Sequence, residues 1–239
     1  MENMIFNFKN VLSNYLENFM DFDDVKYFSI PKPYDFKSIA MNLSIFKKNN
    51  INVVAAIQTH SNIPLVIDNL NYEIPLYGDA LITNIKNLII GVTTADCIPL
   101  LFYEPEIKVI ASVHAGWRGL YSGIIKNTIH HMIEFYGCNP NSVFCYIGPS
   151  ICFDHYEIKD DLVNLIKEKF YFYNKIIKFK ESKFYMDLKQ FAIIQLNECG
   201  VPEKNIKKIN ICTYECQSYY SARRDGNQTG RFFTGIIMV

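Results

Sequence analysis

The chain lacks an excess of either charge: 24 Lys and Arg stand against 24 Asp and Glu in 239 residues. With no basic field and no long single-sign run, nothing is there to carry nucleic-acid affinity, and no nucleic-acid partner is expected. The start, Met1-Glu2-Asn3-Met4, lacks the basic segment of a secretion signal. A long unbroken apolar run is also missing, because the most apolar stretch, residues 88–103, is interrupted by Thr93, Thr94, Asp96 and Pro99. No membrane span is expected. Seven Cys are present without a C-x-x-C pair, and this odd count with no sign of secretion points to reduced thiols and a cytoplasmic location. Linkers, internal repeats and sharp composition shifts are absent too. Residues 1–239, of which 49% are hydrophobic, are therefore expected to fold as a single compact domain.

What is there alternates between strand and helix signals. Runs rich in β-branched and aromatic residues predict strands at 51–57, 88–94, 98–103, 109–114, 143–147, 206–211 and 232–239. Glu104-Pro-Glu106 reads as a hairpin turn between two of them. Helical spacing is carried by Leu120, Ile124, Thr128, Met132 and Tyr136, by Leu162, Leu165, Ile166 and Phe170, and by Leu188, Phe191, Ala192, Leu196 and Cys199. Gly137 and Gly200 are placed to stop the first and third of these helices. Because neighbouring strands look hairpin-linked, the expected fold is α+β with mixed or antiparallel sheets, not a doubly wound parallel sheet.

The rare residues carry the chemical signal. Only Arg118, Arg223, Arg224 and Arg231 are Arg; the other twenty basic residues are Lys. All four lie in two Gly-flanked stretches, His114-Ala-Gly-Trp-Arg-Gly119 and Ser221-Ala-Arg-Arg-Asp-Gly-Asn-Gln-Thr-Gly-Arg231. A guanidinium fork binds phosphate or carboxylate through two bonds, which Lys cannot do. An anion site and a set of loop staples are equally consistent with this clustering. Cys97, in Thr93-Thr-Ala-Asp-Cys-Ile-Pro99, and His114 return to the same end of the sheet if the strands on either side of the Glu104–Glu106 turn pair. His60, in Gln58-Thr-His-Ser61, likewise ends a strand. Two His and one Cys suit either a zinc with an open fourth position or a thiolate with a base. The gaps of 37 and 17 residues match no compact zinc motif, so spacing alone favours a packed thiol and two hydrogen-bonded His. His130, His131 and His155 read as surface or packing residues.

At these segments the chain resembles the laccase-domain proteins, YfiH-like and also described as polyphenol oxidase-like or as purine nucleoside phosphorylases. The match is ordered: Gln58-Thr-His60, Gly78-Asp-Ala-Leu-Ile-Thr83, Thr94-Ala-Asp-Cys-Ile-Pro99, His114-Ala-Gly-Trp-Arg-Gly119, Gly148-Pro-Ser-Ile151, Ser221-Ala-Arg-Arg-Asp-Gly226 and Thr229-Gly-Arg231. It covers about residues 50–239 and turns the reading of His60, Cys97 and His114 from packing residues to a metal site.

The resemblance implies a layered α/β/β/α sandwich with mixed sheets, similar to YfiH-like cysteine hydrolases, and zinc (Zn2+) bound by His60, Cys97 and His114. It implies phosphorolysis of adenosine, inosine, guanosine and methylthioadenosine together with adenosine deamination. Purine nucleoside and phosphate would then be the partners of a monomer or weak homo-oligomer. Under that reading Cys97, His114, His60 and Asp96 are catalytic, while Arg118, Arg223, Arg224, Arg231 and Asp79 bind substrate or phosphate. Asp79 and Asp96 are alternatively acceptors that orient the metal ligands or satisfy backbone N–H groups. The first 45 residues or so diverge. Tyr27-Phe-Ser-Ile-Pro-Lys-Pro33 stands where the family carries Phe-Ser-x-Arg and a Gly pair, only Met41-Asn-Leu43 still matches there, and Ala222 replaces an aromatic or His. A copper oxidase is excluded by five His and no His-x-His. Two other readings stay open: an amide hydrolase editing peptidoglycan precursors with Cys97 as nucleophile, and a non-catalytic purine-binding protein.

Overall fold

A computed structural model of the chain describes residues 14–37, 46–48, 51–70 and 75–239; Met41-Asn-Leu43 lies outside them. The strands are β1 (Glu17–Phe19), β2 (Phe22–Ile30), β3 (Phe46–Lys48), β4 (Ile51–Val54), β5 (Pro64–Val66), β6 (Ala80–Thr83), β7 (Leu88–Thr94), β8 (Ile98–Glu104), β9 (Val109–Ala115), β10 (Phe144–Ile147), β11 (Glu157–Ile158), β12 (Ile177–Lys180), β13 (Lys183–Met186), β14 (Ile206–Lys208) and β15 (Phe232–Met238). The helices are α1 (Trp117–Ser122), α2 (Ile124–Tyr136), α3 (Asp160–Lys169), α4 (Tyr173–Ile176), α5 (Leu188–Glu198) and α6 (Ala222–Asp225). Two six-stranded sheets, β1-β2-β15-β7-β4-β3 and β14-β10-β8-β9-β6-β5, are joined by a small sheet, β11-β13-β12. Each large sheet mixes directions: β4 runs parallel to β7 and β10 to β14, whereas β15 is antiparallel to β7 and β8 to β9.

Strands β7, β8, β9 and β15 are buried at every position, as expected where both faces of a strand are covered. The pleat sorts their side chains. Leu100 and Phe102 face the helices with Ile124, Ile129, Met132, Phe191 and Leu196. Leu101 and Tyr103, one residue out of phase, face the first sheet with Val54, Ile90, Ile110 and Ile236. Helices therefore layer on the second sheet, and the second sheet on the first.

The single helix expected from Leu120 to Tyr136 is two, α1 and α2. Gly123 adopts φ +93°, and its N–H closes α1 on the Gly119 and Leu120 carbonyls before α2 begins. Gly137, at φ +73°, stops α2 as expected. Strands β1 and β2, which the sequence reading did not anticipate, add two antiparallel members beside β15.

Three connections meet at one end of the sandwich. The chain crosses from β7 in the first sheet to β8 in the second through Ala95-Asp96-Cys97. The β8–β9 hairpin sets Pro99 opposite His114, so Cys97 and His114 do return to the same end. The passage from β4 to β5 carries His60, and the loop before β15 carries Arg231 next to Phe232, which is paired with Thr94.

Candidate active site

The three residues of the sequence reading come together: one ligand atom each of His60, Cys97 and His114 lies within 4.8 Å of the others. The two imidazoles meet edge to face at 4.8 Å between centroids. They are held by a fourth residue. Asp79, at the entry to β6, is 1% exposed, and its Oδ1 accepts from His114 Nδ1 at 2.7 Å and from the His60 N–H at 3.1 Å. Its Oδ2 accepts from the Ser61 N–H at 2.6 Å, Ser61 Oγ at 2.7 Å, the Thr59 N–H at 3.1 Å and Thr59 Oγ1 at 3.3 Å. This nest of N–H groups stabilises His60 in the left-handed region, φ +58°. Asp79 stands behind the histidines and is not among the residues that line the cavity beside them.

The charges reinforce one another. Burial alone would raise the Cys97 thiol, but the charge and hydrogen bonds of His114, and then of His60, bring it down to about 6. Burial opposes a charged His114, yet the Cys97 sulfur and the Asp79 carboxylate push it up to about 9. Burial also works against an ionised Asp79, and the bonds from His114 and Ser61 hold it at about 2. Carboxylate, imidazolium and thiolate thus form a row, and a deprotonated sulfur beside two imidazoles can hold a metal ion. Gly116 completes the cradle, because a Cβ there would stand 2.8 Å from Cys97 Sγ and 3.4 Å from His60 Cδ2.

These groups open into a cavity of about 610 Å³, a size suited to a small organic ligand. Gln58, Thr93, Thr94, Asp96, Tyr156, Arg223, Asn227, Arg231 and Lys37 form much of the rest of its wall. Asp96 is at φ +100°, and both its oxygens are engaged, by Thr213 Oγ1 at 2.6 Å and the Arg223 N–H at 2.7 Å. It therefore fastens the Arg loop to the β7–β8 crossing. Arg223 gives Nη1 to the His155 carbonyl at 3.1 Å and Nη2 to the Glu157 carbonyl at 3.0 Å. Arg231 gives Nη1 to the Thr229 and Gly230 carbonyls at 2.7 and 2.9 Å.

The other two Arg fall elsewhere. Arg224 does not line the cavity; its guanidinium holds the Thr213, Tyr214 and Tyr219 carbonyls at 2.7, 2.9 and 2.8 Å and pairs with Asp225 at 2.7 Å. That geometry is the staple alternative. Arg118 is exposed and lies over the Trp117 ring, 4.4 Å from its centroid, outside the cavity lining. Sequence reasoning missed Tyr156, Asn227 and Lys37, the last from a segment whose motif is lost. It also missed Thr94 as a cavity residue, whose Oγ1 is buried without a hydrogen-bond partner. No sequence signal marks these four beyond their closeness to motifs. The His155 ring stacks on Tyr214 at 4.3 Å, a packing contact, and it also stands beside Cys152, Cys212 and Glu215.

Comparison with known proteins gives relatives of matching length. An adenosine deaminase, RL5, of an unknown prokaryotic organism is 36% identical over 190 residues, 75% of this chain and 72% of that protein. A purine nucleoside phosphorylase of Clostridium acetobutylicum is 38% identical over 183 residues, 75% of this chain and 74% of that protein. Among solved structures, the hypothetical protein YfiH of Bacillus licheniformis superposes with a TM-score of 0.81 at 24% identity, covering 94% of this chain and 97% of that one. YlmD of Geobacillus stearothermophilus superposes with a TM-score of 0.76 at 22% identity, over 91% and 93% of the two chains. The layered fold with mixed sheets is thus the one these structures share. The sequence profile of the multi-copper polyphenol oxidoreductase laccases matches residues 35–239, which hold every described strand but β1 and β2 and every residue of the site, and the chain belongs to that family.

Proposed function

We propose that the chain is a zinc-dependent purine nucleoside phosphorylase, acting on adenosine, inosine, guanosine and methylthioadenosine, that also deaminates adenosine. The observation that carries the reading is the meeting of His60, Cys97 and His114 on a cavity of about 610 Å³ whose wall also bears Arg223, Arg231 and Lys37. The names of the relatives supply the substrate class. The donor set of two imidazoles and a thiolate fits zinc, which when bound through three protein ligands acts as a Lewis acid with a position left open.

The chain's own residues do the rest. Asp79 would hold a His114 proton on Nδ1, so the proton that an arriving metal ion displaces from the imidazolium would be the one on Nε2, which then becomes the lone-pair nitrogen. Each cavity Arg retains N–H donors beyond those its carbonyl partners occupy, so phosphate can be received by a fork already fixed in place. Tyr156 offers a ring for the base to rest against, and Thr94 Oγ1 a hydroxyl without a partner in the protein.

The thiolate row Asp79–His114–Cys97 favours one other reading, the amide hydrolase with Cys97 as nucleophile and His114 as its base. Incubating adenosine and inosine with the protein, with and without phosphate, separates the two. Free base with ribose phosphate, and inosine from adenosine, are expected. Neither product, together with hydrolysis of a UDP-muramoyl-serine substrate, would move the function to amide hydrolysis.

A further inference from the structure

Two turns outside the cavity carry the same spacing. Cys152 and His155 flank the single turn Phe153–His155, and Cys212 and Glu215 flank the turn that follows the Ser150–Cys212 bridge. The segments run side by side, the Thr213 N–H donating to the Ser150 carbonyl at 3.1 Å and the Ser150 N–H to the Ile211 carbonyl at 3.4 Å. The result is a pair of facing Cys-x-x-ligand knuckles, C-x-x-H and C-x-x-E, the arrangement in which structural zinc sites draw two donors from each of two turns.

One donor atom from each of the four residues lies within 4.8 Å of the others. His155 Nδ1 stands 3.1 Å from Cys152 Sγ, 3.8 Å from Cys212 Sγ and 3.5 Å from Glu215 Oε1. A tetrahedral zinc with bonds of about 2.3 Å to sulfur and about 2.0–2.2 Å to nitrogen and oxygen has donor edges of about 3.4–3.8 Å, so the three edges at His155 need adjust by about half an ångström or less, and the remaining edges, all within 4.8 Å, by about 1 Å at most. Burial and the neighbouring Cys212 push the Cys152 thiol up to about 12, so an ion must displace its proton, and the groups around the sulfurs help to hold them once it has. The Cys152 N–H points at Cys212 Sγ at 3.3 Å, and the His155 ring is fixed by stacking on Tyr214 at 4.3 Å and 18°. Lys189, tied to the Ile209 and Ile211 carbonyls, places a positive charge within electrostatic reach of both sulfurs. All seven cysteines are free thiols.

We propose that Cys152, His155, Cys212 and Glu215 form a second zinc site, structural in kind, with four protein ligands and no position left for a substrate. Its place gives it a purpose. The next residue, Tyr156, lines the cavity, and the His155 carbonyl holds Arg223 Nη1. An ion here locks the segment bearing Tyr156 to the segment that Arg224 staples, and so stiffens the part of the cavity wall that Tyr156 and Arg223 form. The proposal does not depend on the reaction catalysed.

The test uses full-length protein with Cys97→Ala, which removes the sulfur of the first site, purified with reductant and no chelator. About one zinc per chain is expected, falling to none when Cys152→Ser and Cys212→Ser are added. Reloading the stripped Cys97→Ala protein with Co2+ should give near-ultraviolet sulfur-to-metal charge transfer with the intensity of two thiolates, and Zn2+ should raise its melting temperature. Glu215→Ala, at an exposed position, should weaken Zn2+ binding tenfold or more while keeping the two-thiolate band. A Cys97→Ala protein that holds no zinc, shows no Co2+ band and has Cys152 and Cys212 alkylated as fast as free thiols would overturn the proposal. So would a Cys152–Cys212 disulfide found by peptide mapping of the protein as isolated.

Discussion

Replacing Asp79 with Asn tests whether the carboxylate behind the histidines sets their chemistry. The carboxylate accepts bonds from the N–H groups of Thr59, His60 and Ser61, from two hydroxyls and from His114. An amide has one acceptor oxygen. If that oxygen stays with Ser61, the NH2 confronts the His60 N–H and His114; if it turns round, the NH2 confronts the Ser61 and Thr59 N–H groups. Either way two buried donors lose their partner, at about 1–3 kcal/mol each, so a destabilisation of about 2–6 kcal/mol is expected. For a chain of this size that is a fall in Tm of roughly 4–24 °C. Facing an NH2, His114 must accept at Nδ1 and carry its proton on Nε2, which removes the lone pair a metal needs, and a loss of about 10–100-fold in zinc affinity should follow. The pH dependence has a sign. Asp79 is held at about 2, below its ordinary 3.8, so in metal-free protein its contribution is present above about pH 4 and is lost as pH falls towards 2. A shift of that size corresponds to about 2.5 kcal/mol, and Asp79→Asn should flatten the acid limb of the stability curve by that amount. Thermal melts from pH 2 to 7 and zinc competition against a chelating dye measure all three effects. A variant with wild-type Tm, acid limb and zinc affinity would refute the argument.

The four Arg should separate into different behaviours. Arg223→Lys and Arg231→Lys keep the charge but lose the fork, so phosphate KM should rise about tenfold or more, the equivalent of about 1.5–3 kcal/mol, while adenosine deamination changes little. Arg224→Lys should leave phosphate KM alone and lower Tm, because three carbonyls and Asp225 lose their common donor. Equal loss of both reactions in every variant would make all of them staples. Gly116→Ala should expel the metal or distort the site, since its Cβ would stand 2.8 Å from Cys97 Sγ; the strain is about 1–3 kcal/mol, and elemental analysis with Tm reads it. Full zinc content and unchanged Tm would contradict that reading of the cradle.

The juxtaposition of Cys97 and His114 was legible because it follows from one hairpin: two apolar runs, a turn, and polar residues at both strand ends. The strand pattern of β7, β8, β9 and β15 was legible for the same reason, since burial on both faces demands unbroken apolar runs. Strand β2 was not, because Asp23 and Asp24 precede its first buried residue, Val25, and Lys26 and Ser29 interrupt the buried residues that follow, which dilutes the signal. Nor was the break at Gly123, where the apolar spacing continues through both helices and only a positive φ interrupts it. Among the Arg, flanking glycines mark all the loops alike. Arg223, Arg224 and Arg231 all hold backbone carbonyls, and that Arg223 and Arg231 also line the cavity while Arg224 does not depends on the path of residues 213–219 past Arg224, which no local pattern encodes. The pairing of Cys152 with Cys212 across sixty residues was hidden because each turn has only one Cys.

The account rests on Cys97 holding a metal at a purine nucleoside site, and the direct measurement is turnover of inosine and adenosine with phosphate by wild-type and Cys97→Ala proteins, each with its zinc content determined. The expected result is hypoxanthine with ribose phosphate from wild type, inosine from adenosine, and loss of both reactions in Cys97→Ala together with one zinc per chain. A Cys97→Ala protein that keeps all its zinc yet loses activity, or a wild type that leaves both nucleosides intact, would contradict it.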